Sequence, residues 1–351
     1  MAKQKSFLRK VLTVLVIITI ASATAMLFTV YKIVYKGNID THGKNSVYIY
    51  IKSTDSFEDV MNELATKNIL INLNTFKQLA QYKGYHKTIK PGKYLLKAGM
   101  NNNQVVNILK AGLEEKIKFN LNNIRTIEQL GARLENNTEI DSATFVEYIY
   151  SEVFLSEAGL SKANAITYFV PGEFEFKSWA TGIKDVIKKA EEISRAFWSS
   201  KSELLNKLNL SQQEIYTLAS IVQLEQTQHV EERPTIAGVY LNRLKKGMKL
   251  QADPTVIFAV GDFTINRVLN KHLEIDSPFN TYKFEGLPPG PICIPTLHAL
   301  NAVLNYKKHD YIFFCAKEDL SGKHYFTSSY NDHVKCANKY RAVLDKKGIL
   351  N

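Results

Sequence analysis

Ser211-Gln212-Gln213-Glu214-Ile215-Tyr216-Thr217-Leu218-Ala219-Ser220-Ile221-Val222-Gln223-Leu224-Glu225 is the stretch from which the C-terminal part of the chain can be read. Ser211 and Glu214 have the spacing of a capping box, which satisfies two orphan amide donors at a helix start. Leu210 and Ile215 stand at the hydrophobic staple positions around that cap. Ile215, Leu218, Ala219, Val222 and Glu225 then recur at intervals of three and four, so they share one helix face. Glu225 therefore lies on the apolar side of a helix. Apolar surroundings disfavour a carboxylate's charged form and raise its pKa. A glutamic acid tuned this way can hold a proton near neutral pH and deliver it to a leaving group. The competing reading makes Glu225 a helix-end carboxylate paired with Arg233 or Arg243.

Downstream, Pro234 at a first helical turn and Gly247 beyond its end bound a second helix. Arg243 on this helix is a candidate to pair with Glu225, to hold substrate, or to lie on the surface. Asp253-Pro254 reads as an N-cap followed by Pro at the first helical position, opening a helix that ends near Gly261. Asp253 is first a cap and second a substrate contact. Gly286-Leu287-Pro288-Pro289-Gly290-Pro291 is too rich in proline for a helix or strand interior and reads as a stiff loop walling a cleft. Asn280 and Tyr282 before it offer an amide and an aromatic face for a sugar, or serve a tight crossover. Tyr311–Ala316 and His324–Thr327 read as strands joined by a turn at Asp319–Gly322, followed by a helix from about Asn331 to Lys347.

Four ordered motifs carry a resemblance. Leu218–Glu225, Ala237-Gly238-Val239-Tyr240-Leu241-Asn242-Arg243-Leu244, Gly247-Met248-Lys249-Leu250-Gln251-Ala252-Asp253-Pro254-Thr255-Val256, and Asn280-Thr281-Tyr282 with Gly286–Ile292 resemble the endolytic murein transglycosylases, the MltG or YceG-like family. The family pattern carries two glutamates at the helix end, and here Gln223 takes the place of the first. The resemblance implies that Glu225 is the catalytic acid, with Arg243, Asp253, Asn280, Tyr282 and Pro288 as substrate-binding candidates. It implies cleavage of peptidoglycan glycan strands between N-acetylmuramic acid and N-acetylglucosamine. A single glutamate serves there as acid and then base, leaving 1,6-anhydro-muramyl ends near sites of new wall synthesis. The expected partners are glycan strands, the membrane and wall synthases. Ile166–Phe174 sits where the family has a Pro-x-Thr-Tyr signature, replaced here around Glu173-Phe174. Two other classes remain open: a lysozyme-type hydrolase using a second acid such as Glu173 or Asp253, and a non-catalytic glycan-binding scaffold.

The N-terminus has a different character. Lys3, Lys5, Arg9 and Lys10 precede an uncharged run over 11–31, long enough to cross a hydrocarbon core as a helix. The preceding basic residues put 1–10 in the cytoplasm and the rest outside. The apolar run continues past the A-x-A-like sites at Ala21–Ala25, which favours an uncleaved single-pass anchor in the cytoplasmic (inner) membrane over a signal peptide. Of the 45 basic residues, six lie in the first 36 positions without an acidic partner. The rest of the chain is mildly basic, which suits a polyanionic wall or membrane surface. No basic-aromatic motif of the nucleic-acid type is present. The three cysteines, Cys293, Cys315 and Cys336, match no zinc spacing, and no HExxH occurs. No metal or cofactor is expected.

Between anchor and catalytic region, 32–44 reads as a polar linker. A weak repeat follows. Val47–Lys52 reads as a strand and is followed by a helix with Phe57, Val60 and Leu64 inward. Ile117–Leu121 and a helix with Ile127, Leu130 and Leu134 repeat the arrangement. Lys93–Leu96 and Asn103–Leu109 form a further strand–helix pair after a Pro91-Gly92 turn. Such units over 45–115 resemble a LysM-like module, with a YceG-like catalytic domain expected over 116–351. The fold class is thus α+β: a transmembrane helix, a small strand–helix module, and a helix-rich catalytic domain with a small sheet.

Overall fold

A computed structural model of the chain describes residues 2–347. The fold is mixed and helix-rich, with short strands in two-stranded sheets. It divides into two compact units.

The first unit comprises the chain up to residue 117 with 137–139 and 175–181. It contains α1 (Ala2–Val34), β1 (Ser46–Ile51), α2 (Phe57–Thr66), α3 (Leu73–Tyr82), β2 (Gly92–Lys97) and α4 (Asn102–Ala111). Within α1 the stretch Phe7–Val34 is long and apolar enough to cross a membrane, and none of it is buried against the rest of the chain. The hydroxyls of Thr13, Thr19, Thr24 and Thr29 each donate to the carbonyl four residues back. A helix satisfied in this way carries no bare side-chain hydroxyl that an apolar medium would penalise.

β1 and β2 pair antiparallel, with Ser46 opposite Lys97 and Ile51 opposite Gly92. The period of two sends Ile49, Ile51, Tyr94 and Leu96 to one face, where all are fully buried. Val60 and Leu64 from α2, Phe76 from α3, and Val105, Val106 and Leu109 from α4 close over that face. Each such aliphatic side chain contributes roughly 1.5–3 kcal/mol by leaving water. Capping boxes at Ser56/Asp59 and Asn101/Gln104 start α2 and α4, and Gly112 in the left-handed conformation ends α4.

Residues 35–44 belong to this packing, although their polarity reads as linker. Ile39 enters the core, and backbone bridges join Gly37 to Asn101 and Ile39 to Leu70. Asn38 is buried, its amide donating to Asn102 Oδ1 at 2.6 Å and to the Asn72 carbonyl at 2.9 Å. Asn102 in turn donates to the carbonyl of Ile33 at 2.8 Å, near the end of α1. Polar residues look solvated in sequence. Here they are buried because each finds a partner about 30 to 70 residues away.

The second unit comprises 118–136, 140–174 and the chain from 182 onward. Strand β3 (Ile117–Asn120) enters it, α5 (Ile127–Glu135), α6 (Ser142–Ile149) and α7 (Glu152–Ala158) follow, and β4 (Glu173–Phe176) leaves it after residue 174. Then come α8 (Ile183–Ser199), α9 (Ser202–Leu208), α10 (Gln212–Glu225), α11 (Arg233–Lys245), α12 (Asp253–Val260), α13 (Asn270–Leu273) and α14 (Leu297–Leu304). The hairpin β5 (Phe313–Ala316)–β6 (His324–Thr327) and α15 (Tyr330–Lys346) complete it. The capping box at Ser211/Glu214 opens α10 as its sequence dictates.

Helix α10 is the axis of this unit and packs on α11, α12 and α14. Its amphipathic reading is too modest, because Ile215 to Gln223 are buried without a break. A helix buried all round needs its polar members satisfied internally. Ser220 Oγ donates to the Thr217 carbonyl at 2.7 Å and accepts the Ile292 amide at 3.0 Å. Gln223 Oε1 accepts the Thr296 amide at 2.5 Å. Both amides belong to the segment after the proline-rich loop, so these side chains fasten that segment to α10. Within the loop, a Cβ at Gly290 would collide with the Ala163 carbonyl, so only glycine permits the close backbone approach there.

Candidate active site

Glu225 is the last residue of α10, where the chain turns to extended conformation at Gln226. A cavity of about 330 Å³ opens beside it, lined by Glu225, Tyr240, Arg243, Gln251, Asp253 and Tyr282, with Leu250, Phe314 and His333 completing the wall. Tyr240 on α11 is one turn before Arg243, so one helix face delivers both. The Tyr240 hydroxyl donates to Glu225 Oε1 at 2.7 Å. Opposite this pair stands a second, in which the Tyr282 hydroxyl donates to Asp253 Oδ1 at 2.5 Å.

Burial pushes the Glu225 carboxyl up from 4.5 to about 7, and the charge of Asp253 adds to the rise. The Tyr240 hydrogen bond and the Arg243 charge hold it back. At about 1.4 kcal/mol per unit, the pocket disfavours the carboxylate by about 3 kcal/mol relative to water. Crowding by protein also raises Asp253, against the hydrogen bond from Tyr282. The cavity thus holds a glutamic acid that titrates near neutrality, beside a second carboxyl and two phenols. That arrangement can give a proton to a bound oxygen and take one back.

Neither arginine pairs with Glu225 among the described residues. Arg233 Nε donates to the Gln226 carbonyl at 2.8 Å. Arg243 is buried and spends Nε on the Ile312 carbonyl and Nη1 on the Leu250 carbonyl, both at 2.7 Å. Its cation acts on Glu225 through space while its donors hold the cavity walls together.

The residue after Glu225 is clamped as well. Gln226 Nε2 donates to Glu232 Oε2 at 3.0 Å and to the Gly322 carbonyl at 2.9 Å. Glu232 is also bonded to His324 Nδ1 at 2.8 Å. This network ties the end of α10 to the β5–β6 hairpin and fixes the direction of Glu225.

Asp253 does not cap α12. Ala252 occupies the N-cap position and Asp253 is the first helical residue. Thr281 Oγ1 accepts the Ala252 amide at 3.0 Å, and the Gln251 amide donates to the Thr281 carbonyl at 3.0 Å. Thr281, 29 residues downstream, thus holds the chain entering α12, and the Asp253 side chain lines the cavity. The same clamp holds Gln251 at φ 51°, a left-handed conformation that a non-glycine residue adopts only under constraint.

The structure thus gathers Glu225, Arg243, Asp253 and Tyr282 at one cavity. Asn280 and Pro288 are elsewhere. Asn280 is fully buried, and its amide donates to the carbonyls of Leu273 and Ile275 at 2.9 Å each while Oδ1 accepts the Tyr282 amide. It positions Tyr282 rather than facing the cavity. Pro288 lines a separate cavity of about 370 Å³ with Asn164, Gln213 and Thr217. Glu173 is a surface residue bound to Lys118 at 3.1 Å.

Residues 49–339 match the sequence pattern of the YceG-like family. The chain belongs to the YceG-like family. Among relatives, the endolytic murein transglycosylase of Bacillus subtilis (strain 168) is 28% identical over 324 residues, covering 88% of this chain and 89% of the relative. The endolytic murein transglycosylase of Streptococcus pneumoniae serotype 2 is 26% identical over 327 residues. That alignment covers 84% of this chain and 58% of the longer pneumococcal protein. A crystal structure of a YceG-like protein from Listeria monocytogenes superposes with a TM-score of 0.57 at 28% identity, covering 84% of this chain and 99% of that one.

Five cavity residues of this YceG-like family member, Tyr240, Leu250, Gln251, Phe314 and His333, are not among the sequence candidates. Of these, Tyr240, which donates to Glu225, and His333 bear titratable groups. Tyr240 lies in the stretch Ala237–Leu244, and its spacing from Arg243 is the signal that it shares the active face. His333 comes from α15, more than a hundred residues from Glu225, and no local pattern points to it.

Proposed function

We propose that this protein is an endolytic murein transglycosylase that cuts peptidoglycan glycan strands between N-acetylmuramic acid and N-acetylglucosamine. The observation that carries the reading is the Glu225 carboxyl, raised to about 7 in a cavity with a phenol on Oε1. Glu225 enters the reaction protonated and gives its proton to the bridging glycosidic oxygen. The C1–O bond breaks as positive charge builds on the muramyl ring, and the N-acetylglucosamine side leaves as an alcohol. Glu225, now a carboxylate steadied by Tyr240 and the Arg243 charge, takes the proton of the muramyl 6-hydroxyl. That oxygen bonds to C1 and closes a 1,6-anhydro ring. The proton returns to Glu225 and no water is consumed, so the reaction is a lyase step.

In this reading 1–10 is cytoplasmic, 11–31 anchors the chain in the inner membrane, and everything beyond lies outside the cytoplasm. The region 45–115 acts as a LysM-like glycan-holding module, and 116–351 carries the chemistry beside the wall synthases. The apolar run over 11–31 and the basic residues before it support that placement.

Asp253 favours one second reading, because a second carboxyl in the cavity is what a hydrolase of the two-acid type needs. The test is to incubate the detergent-solubilised chain with intact peptidoglycan beside its Glu225→Gln form and identify the ends by mass spectrometry. Anhydro-muramyl ends from the wild type alone support the transglycosylase. Reducing ends support the hydrolase. Glycan binding without release by either form leaves a scaffold.

A further inference from the structure

His333 is on the first turn of α15 and lines the same cavity as Glu225. Its ring stacks on Phe313 with centroids 5.2 Å apart and planes 21° apart. The Arg243 guanidinium lies over the Phe313 ring as well, 5.4 Å from its centroid. Despite that ordered position, Nδ1 of His333 is closed to solvent and has no hydrogen-bond partner. Two other side-chain atoms share this state among the described residues, Tyr85 Oη and Glu318 Oε2. Neither residue lines the cavity.

An unpaired buried nitrogen costs free energy, and folded proteins leave few of them. Packing does not require it, because a phenylalanine would stack on Phe313 equally well. Burial and the cations of Arg243 and Arg341 hold the ring below its usual pKa, which favours the neutral form. A neutral imidazole carries one donor and one acceptor. Nδ1 has no hydrogen bond to lose when the ring turns about χ2 towards the cavity.

We propose that His333 is a substrate-binding residue whose Nδ1 hydrogen-bonds a hydroxyl of the sugar held against Glu225. A hydroxyl both donates and accepts, so it matches either tautomer of the ring. The inference rests on the glycan-cleaving reading above and adds α15 to the substrate site.

The test uses the detergent-solubilised full chain and soluble, uncrosslinked glycan strands. His333→Phe keeps the aromatic stack and removes the nitrogen. His333→Asn puts an amide at the place of Nδ1. The bond is present in ground and transition states alike, so its loss appears in KM. His333→Phe raises KM about tenfold with kcat nearly unchanged, and His333→Asn recovers most of the loss. Wild-type KM in His333→Phe, or equal damage in both variants, overturns the proposal. Should His333→Phe fail to fold, the Glu225→Gln chain labelled with 15N-histidine gives a second measurement. The His333 Nδ1 resonance moves when glycan strands are added, and an unmoved resonance in a strand-bound chain overturns the proposal. A wild-type chain that produces no anhydro ends defeats the glycan-cleaving reading alone, since binding by the Glu225→Gln chain still reports on His333. Absence of glycan binding overturns both.

Discussion

If Glu225 delivers the proton, the rate must fall as pH rises through about 7, where burial and the Asp253 charge have placed its carboxyl. One unit above that value roughly a tenth of the molecules still hold the proton, and the rate drops about tenfold for each further unit. The neighbours give this limb a sign test. Asp253→Asn removes a charge that raises Glu225, so the limb moves to lower pH. Tyr240→Phe removes a hydrogen bond that lowers Glu225, so the limb moves to higher pH. The assay is release of anhydro-muramyl ends by the detergent-solubilised chain over pH 5 to 9. A limb near an ordinary carboxylate pKa, or two variants that move it the same way, would refute the assignment.

The same shift acts on stability. A carboxyl raised in the folded state contributes stability that is fully present below its unfolded pKa and is lost as pH rises through its folded pKa. For Glu225 that window runs from 4.5 to about 7 and is worth about 3 kcal/mol. Glu225→Gln keeps an oxygen to accept from Tyr240 and carries no charge. Urea midpoints of the two proteins should nearly coincide at pH 4. At pH 9 the variant should be the more stable by up to about 3 kcal/mol. An offset that does not change with pH would mean the carboxyl is not perturbed.

Gly290→Ala drives a methyl into the Ala163 carbonyl and should cost about 1–3 kcal/mol in urea denaturation. Asn102→Ala strips partners from the Ile33 carbonyl and from Asn38, and should speed proteolysis at Lys36 and Lys44 without altering the Glu225 pH limb. Cys315 on β5 and Cys336 on α15 are both free, and burial together with a hydrogen bond to the Cys336 thiol pushes the Cys315 thiol up to about 11. Diamide should oxidise this pair to a disulfide, itself being reduced to the hydrazine, while the buried Cys293 stays a thiol by thiol titration and peptide mapping.

What the sequence displayed was whatever is decided within a few residues. The capping box at Ser211/Glu214 and the alternation of Ile49 and Ile51 could be read because donor and acceptor, or inner and outer face, lie within one turn or one pleat. The apolar setting of Glu225 followed from the same spacing. A residue's role is hidden where its partner comes from far along the chain. Asp253 has the form of an N-cap, yet it is the first helical residue of α12, and its carboxylate accepts from Tyr282 in the cavity instead. Asn38 and Thr41 look like linker residues and are buried. Asn280 has the chemistry of a sugar ligand and is spent on backbone carbonyls. In each case a short polar side chain can be satisfied by water, by substrate or by buried backbone, and sequence does not distinguish the three. The pattern has a physical use. Motif residues that hold other motif residues should lose stability when replaced, as at Asn280 and Arg243. Those that face the cavity, Glu225, Asp253 and Tyr282, should lose rate first. A variant series in which Asn280→Ala abolished turnover with an unchanged urea midpoint would break that division and return Asn280 to the substrate site.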